Sequence, residues 1–443
     1  MTLVLPSIVR ARLFSTAIIT GMKNPATALL IFAALAASAD AIPAQTMDRQ
    51  MGHSAKRPAS EALKERLGTV SFPVSCAAAS QPYFNRGVAL LHDFWYEEAR
   101  VQFDHLVKDD PGCAMAHWGV AMSAFHQIWD RPNEEAMKLG WTQMQAAQSL
   151  HVGTDRERAY IAALAGFYRP GSEQFPARIA AYSEAMARLY AQYPTDPDAG
   201  AFYALSLLAA EAPNDTSLSQ KHKAMAVLQP LFAQYPDNPG IVHYIIHACD
   251  NPAMAAEGLA AADHYGEIAQ SGPHAFHMPG HIYSRLGLWQ KDIASQLGSI
   301  AASQAAESHG ESGLMDEPHS YDFLIYAYLQ SGQDIRAKAA LADSAAPLDM
   351  IASMPGMGAA YMAGMVPNYR IKLAAFYALE MRDWKTAAAM VPLAGSPPEV
   401  AALVYWVRAI ADGRLRQPER ARRPGPLRRV DRAAPEGQVR VYC

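Results

Sequence analysis

The sequence predicts an all-α chain, a TPR-like alpha-alpha superhelix built as a solenoid of antiparallel helical hairpins, and three observations lead there. From about residue 71 to 412, apolar residues rich in Ala, Leu and Tyr recur at three- and four-residue intervals. Pro and Gly punctuate those segments at helix-length spacings. No stretch alternates apolar and polar residues as a half-buried strand would. With 443 residues, 51% of them hydrophobic, the chain has material for a large core.

The elements follow in order. Lys23, an apolar run from Ala26 to Ala37 and small residues at Ala39, Ala41 and Ala44 read as an export signal beginning at Met22. Residues 1–44 are then an upstream extension plus that signal, and no Cys follows the run to carry a lipid anchor. No later stretch is apolar enough to span a bilayer, so a periplasmic or secreted protein without stable membrane insertion is expected. Residues 45–70 form a polar linker. Export permits disulfides, and Cys76 in FPVSC and Cys113 in DDPGC flank one hairpin and are expected to join across it. Cys249 reads either as a small buried apolar residue or as a soft metal ligand.

Within 71–412 the unit from Tyr83 to Pro111 carries Gly87, Ala99, Phe103 and Pro111. Fainter marks recur at Ala224, Leu228 and Pro236, at Ala261, Tyr265 and Pro273, and at Gly332, Ala337 and Leu341. This pattern resembles the tetratricopeptide repeat family, whose unit is a helical hairpin of about 34 residues. The phrases FPVSC, LLHDFWYEEA, CAMAHWGVAMS, HYIIHACDNP and HAFHMPGHIYSRLGLW are similar to a group of exported bacterial proteins of that family. The resemblance implies stacked hairpins whose first helices line a concave groove for a peptide, protein or small ligand. It leaves function open.

Residues 413–443 break the pattern. Residues 414–443 carry nine Arg against three acids, so a formal charge of −4 leaves −10 on the rest. An acidic body excludes nucleic acid as the expected partner, since phosphate binding depends on clustered Lys and Arg. The tail itself reads as a disordered basic segment or as an end replaced by a frameshift, the latter preferred.

The chemistry concentrates in two phrases. His243, His247 and Asp250 in HYIIHACD, and His274, His277 and His281 in HAFHMPGHI, fall at helical three- and four-residue spacings. Aligning the turn glycines Gly287 and Gly332 gives a 45-residue offset that superimposes His274 on His319, His277 on Asp322 and His281 on Tyr326. Three adjacent helices are therefore expected to aim these residues at one hollow. Imidazole with carboxylate suits a transition metal such as zinc or copper, held by His243, His247, His274, His277, His281 and His319. Pro279 sets the geometry: a helix starting just before it makes His281 firmly helical and leaves His274 and His277 in the preceding turn.

Three functions stay open: a metal-binding module for a peptide or small ligand, a metal-dependent hydrolase or oxidoreductase, and a metal-free interaction scaffold. For chemistry, Asp250, Asp322 and Glu317 are the candidate acid-base or supporting groups and Tyr326 the candidate oxyanion donor. No HExxH, phosphate loop or GxSxG elbow accompanies them, so a binding role is preferred to an enzyme. His92, His105, His151, His222, His264 and His309 read as surface or hydrogen-bonded core residues, and His117 and His126 as core. The Met-rich segment from Met354 to Met365 reads as a connecting loop.

Overall fold

Side-chain caps start many helices where the sequence is punctuated. In the computed structural model the described residues run from 59 to 416, apart from 129–130, 172, 213–214, 355–358 and 394–395. The signal segment, most of the polar linker and residues 417–443 of the tail lie outside them. Every regular element among the described residues is a helix, which bears out the all-α expectation.

The order begins with α1 (Gln81–His92), α2 (Tyr96–Asp109), α3 (Ala114–Ser123), α4 (Glu134–Ser149), α5 (Asp155–Tyr168), α6 (Phe175–Gln192), α7 (Pro197–Ala209) and α8 (Ser219–Gln234). It continues with α9 (Pro239–Cys249), α10 (Leu259–Ile268), α11 (Pro273–His277), α12 (Pro279–Leu286), α13 (Trp289–Ser308) and α14 (Glu317–Gln330). Last come α15 (Asp334–Asp343), α16 (Ala345–Ser353), α17 (Ala359–Glu380), α18 (Trp384–Ala389) and α19 (Pro398–Arg414). Helix α17 already begins at Ala359, so much of the expected Met-rich loop is helical.

Local chemistry explains the boundaries. Thr154 and Glu157 form a reciprocal capping box on α5. Asn133, Asp196 and Asn238 accept backbone N–H groups at the starts of α4, α7 and α9. Gly287 (φ 72°) closes α12 and Gly332 (φ 73°) follows α14, both left-handed, as turn glycines should be.

Consecutive helices pack on one another, and one continuous buried cluster extends from Leu67 to Ala306. Smaller clusters hold the segment from Ile293 to Ala411. Cys76 and Cys113 are joined by a disulfide across the first hairpin. Cys249 is buried, its thiol directed to Met225 Sδ at 3.6 Å and pushed up to about 12 by burial. That environment favours its apolar reading.

Contacts between distant parts of the chain differ from a stack in which each unit meets only its neighbours. The N–H groups of Gly68 and Thr69 donate to the carbonyls of Ile268 and Asp237. Helix α1 packs on α9. Trp95 Nε1 donates to the Ser312 carbonyl at 2.6 Å, and Ser312 N–H donates to Glu98. The turn between α1 and α2 is thereby brought against the helices that carry the histidines. None of the described helices is long and apolar enough to cross a membrane.

Candidate metal centre

Helix α9 begins at Asn238 and Pro239 and carries His243 and His247 one turn apart. Pro279 splits the second histidine phrase, with α11 ending at His277 and α12 starting at Pro279. The joint at Met278 keeps helical angles (φ −56°, ψ −39°), so His274, His277 and His281 stay in helical register across the break. Helix α14 supplies His319.

These six rings form two groups. One ring nitrogen from each of His243, His247 and His274 lies within 4.8 Å of the other two, and the same holds for His277, His281 and His319. The first trio is the inner one. His243 is fully buried and His274 nearly so. The outer trio is more open, with the His281 side chain 12% exposed. His274 and His277 link the two, their ring centroids 5.9 Å apart.

Each trio has a phenylalanine wall. Phe94 lies against His243, His247 and His274, at centroid distances of 4.4, 5.4 and 5.7 Å. It sits in the α1–α2 turn at φ 57°, a left-handed conformation that costs a bulky residue about 1–3 kcal/mol. Phe323, one turn beyond His319 on α14, covers His277, His281 and His319 at 4.9, 4.7 and 5.2 Å.

The two trios are oriented by different partners. In the inner one, His243 Nδ1 bonds the backbone carbonyl of His92; a carbonyl only accepts, so Nδ1 carries the hydrogen and Nε2 a bare lone pair. Nε2 of His243 and Nε2 of His247 are both buried with no hydrogen-bond partner among the described residues. His92 is itself fixed by Tyr244 at 2.9 Å and Asp198 at 3.0 Å. Gly240 permits this, because a Cβ there would fall 2.2 Å from His92 Nδ1.

In the outer trio the partners are side chains. His281 Nδ1 meets Asp250 Oδ2 at 2.9 Å, and Arg285 holds the other Asp250 oxygen. His277 Nδ1 meets Gln296 Oε1 at 2.7 Å, and Gln296 Nε2 donates to Asp292 Oδ1 at 3.0 Å. Both Nδ1 atoms are therefore donors, and on a neutral ring each Nε2 presents a lone pair. Those two Nε2 atoms lie 2.9 Å apart. Two lone pairs make no hydrogen bond; a proton on one Nε2, donated to the other, or a metal cation beside both removes the conflict. Gly280 makes room for this arrangement, since a Cβ there would fall 2.0 Å from Gln296 Nε2.

Burial keeps five of the six rings neutral. Burial, reinforced by neighbouring imidazoles, pushes His243, His274 and His277 well below the usual range. Burial and then His281 lower His247 and His319 to about 3. Burial opposes ionisation of Asp250, but His281 and Arg285 prevail and hold its carboxyl well below the usual value. Burial raises Asp292 to about 7 and, helped by Glu97 and Glu317, Asp316 to about 7.

Of the residues singled out from the sequence, the six histidines converge and Asp250 supports His281. Asp322 is engaged by Lys372 instead, and Tyr326 is 43% exposed against Trp289. Neither belongs to a trio. Glu317 is buried beside Ser303, its Oε1 accepting from that hydroxyl. His117 bonds Gln143, and His126 stacks on Tyr96. Phe94, Phe323, Gln296, Gly240, Gly280 and the His92 carbonyl were not singled out. Two phrases noted for their resemblance touched this set, LLHDFWYEEA at His92 and Phe94 and HAFHMPGHIYSRLGLW at Gly280.

Set against protein-family models and curated proteins, the chain matches none. The histidine groups could hold a metal, and the chemistry of the donor set is what bears on their use.

Proposed function

We propose that the chain is an exported tetratricopeptide-type binding protein that holds a transition metal at His277, His281 and His319. The observation that carries this is the convergence of three imidazole nitrogens within 4.8 Å, two of them Nε2 atoms facing at 2.9 Å on rings whose Nδ1 hydrogens are donated to oxygen. Carboxylate and amide partners behind ligating histidines are the usual means of fixing tautomer and raising basicity. Zinc fits three neutral nitrogens plus one exchangeable position, and the partial exposure of His281 gives that position a route to water or a ligand. A peptide or small molecule with a carboxylate or imidazole could complete the sphere.

A carrier is favoured over an enzyme by one feature. Asp250, the acid nearest in role to a general base, is committed to His281 and Arg285. The hydrolase and metal-free scaffold readings become outcomes of one experiment: elemental analysis of tag-free protein, before and after exposure to zinc, and of the variant His277→Ala/His281→Ala. Stoichiometric zinc in the wild type and its loss in a variant of unchanged circular dichroism supports the site. Absence of bound metal after exposure to zinc and copper overturns it and leaves the scaffold. Zinc-dependent cleavage of ester or peptide substrates would overturn the carrier role alone.

A further inference from the structure

We propose that His243, His247 and His274 form a second, separate metal site, and that it takes a cuprous ion. The inference stands on its own donors and does not require the outer trio to bind zinc.

Three observations carry it. The first is geometric: three imidazole nitrogens from two helices lie within 4.8 Å of one another, with ring centroids 4.7 Å apart for His243 and His247 and 5.1 Å for His243 and His274. The second is the bonding pattern. The His92 carbonyl uses the hydrogen on His243 Nδ1, so Nε2 is an acceptor, and both it and His247 Nε2 are buried without a hydrogen-bond partner. Buried acceptors in that state cost free energy unless something electron-poor meets them.

The third observation is charge. The donors are neutral and the walls are aromatic: Phe94, Tyr244 and Tyr265 all lie against His243. Asp93, the acid beside Phe94, accepts the Tyr265 hydroxyl at 2.7 Å, and Asp316 stands 3.8 Å from His274 Nδ1. The cost of burying an ion grows with the square of its charge, so a monovalent ion pays about a quarter of what a divalent one does. Imidazole suits copper. A cuprous ion is content with three neutral nitrogens, whereas zinc wants a fourth ligand, and the Phe94 ring packs against all three imidazoles where one would approach.

The outer trio differs on each count. It is partly open, and Asp250 lies directly behind one ligand. The pair is thus built for two ions of different charge, linked through His274 and His277, which are three residues apart on one turn.

The test is an anaerobic titration of full-length, tag-free protein with cuprous ion against a colorimetric cuprous chelator, done on protein preloaded with one equivalent of zinc. Uptake of one cuprous equivalent without zinc release, with an X-ray absorption edge of low-coordinate copper bound by nitrogen, is the expected result. His247→Gln should lower cuprous affinity by about 100-fold and keep zinc, which also shows that the variant is folded. His281→Gln should do the reverse. Displacement of zinc by copper, or no cuprous uptake, overturns the proposal whether or not the variants fold. Copper uptake by protein that never binds zinc would overturn the outer-site reading and leave this one standing.

Discussion

The inner and outer trios use the same side chain and hold it in different ways. The inner rings are set by a main-chain carbonyl and an aromatic wall. The outer rings are set by a carboxylate and an amide that lead outward to Arg285 and Asp292. The residue type decides that nitrogen is offered. What lies behind Nδ1 decides how firmly the ring is fixed and how much negative charge reaches the metal.

Glycine substitutions give the sharpest test of that contrast. Gly240→Ala drives a Cβ into the rigid, buried His92 ring, so we expect a loss of about 1–3 kcal/mol in urea unfolding and failure of the inner trio alone. Gly280→Ala meets the buried side-chain ends of Gln296 and Asp292; we expect a loss of about 1–3 kcal/mol in urea unfolding and zinc affinity at the outer trio down by about 10–100-fold in a chelator competition. Asp250→Asn should lower zinc affinity likewise, by a different route. If either outer variant also abolished cuprous binding, the two trios would be one site.

The pH response sharpens it further. His247 and His319, held at about 3 against an unfolded value of 6.5, bind protons in the unfolded chain and not in the fold between those limits. Their contribution is fully present above pH 6.5 and is lost as pH falls from there toward 3. Asp292 and Asp316, raised to about 7 from 3.8, act oppositely: their contribution is present below 3.8 and fades as pH rises through 7. In metal-free protein, His247→Gln should therefore flatten the acid limb of the stability curve by about 1–2 kcal/mol at pH 5, read by urea midpoints between pH 7.5 and 5. The smallest effect expected is that of Asp322→Asn. With Asp322 engaged by Lys372 outside both trios, its zinc affinity should stay within about threefold of wild type in the same competition, about half the energy of the tenfold lower bound for a supporting residue.

Much of this was legible in the sequence, and the limits have physical causes. Three- and four-residue periodicity reports which residues share a helix face, so the helices and the six histidines could be found. Their division into two trios could not, because it depends on where Pro279 splits the helix and on the α1–α2 turn arriving from 150 residues away. The 45-residue register placed His319 correctly beside the others but gave Asp322 and Tyr326 equal weight. A register carries pitch and not partners, and Lys372 on α17 claims Asp322. Phe94 and the His92 carbonyl were invisible for a related reason: a hydrophobic residue in a turn and a main-chain oxygen have no compositional signature.

The tie between the first hairpin and Ser312 has a consequence for how the molecule comes apart. A linear array can unzip from a free end, one hairpin at a time. Here residues 67–306 share one continuous core, and its opening turn is pinned far downstream. That block must give way all at once, taking the inner imidazoles with it, whereas His319 rides on α14, whose apolar face belongs to the smaller cluster from Ile293 to Leu373, so fraying there reaches the outer trio first.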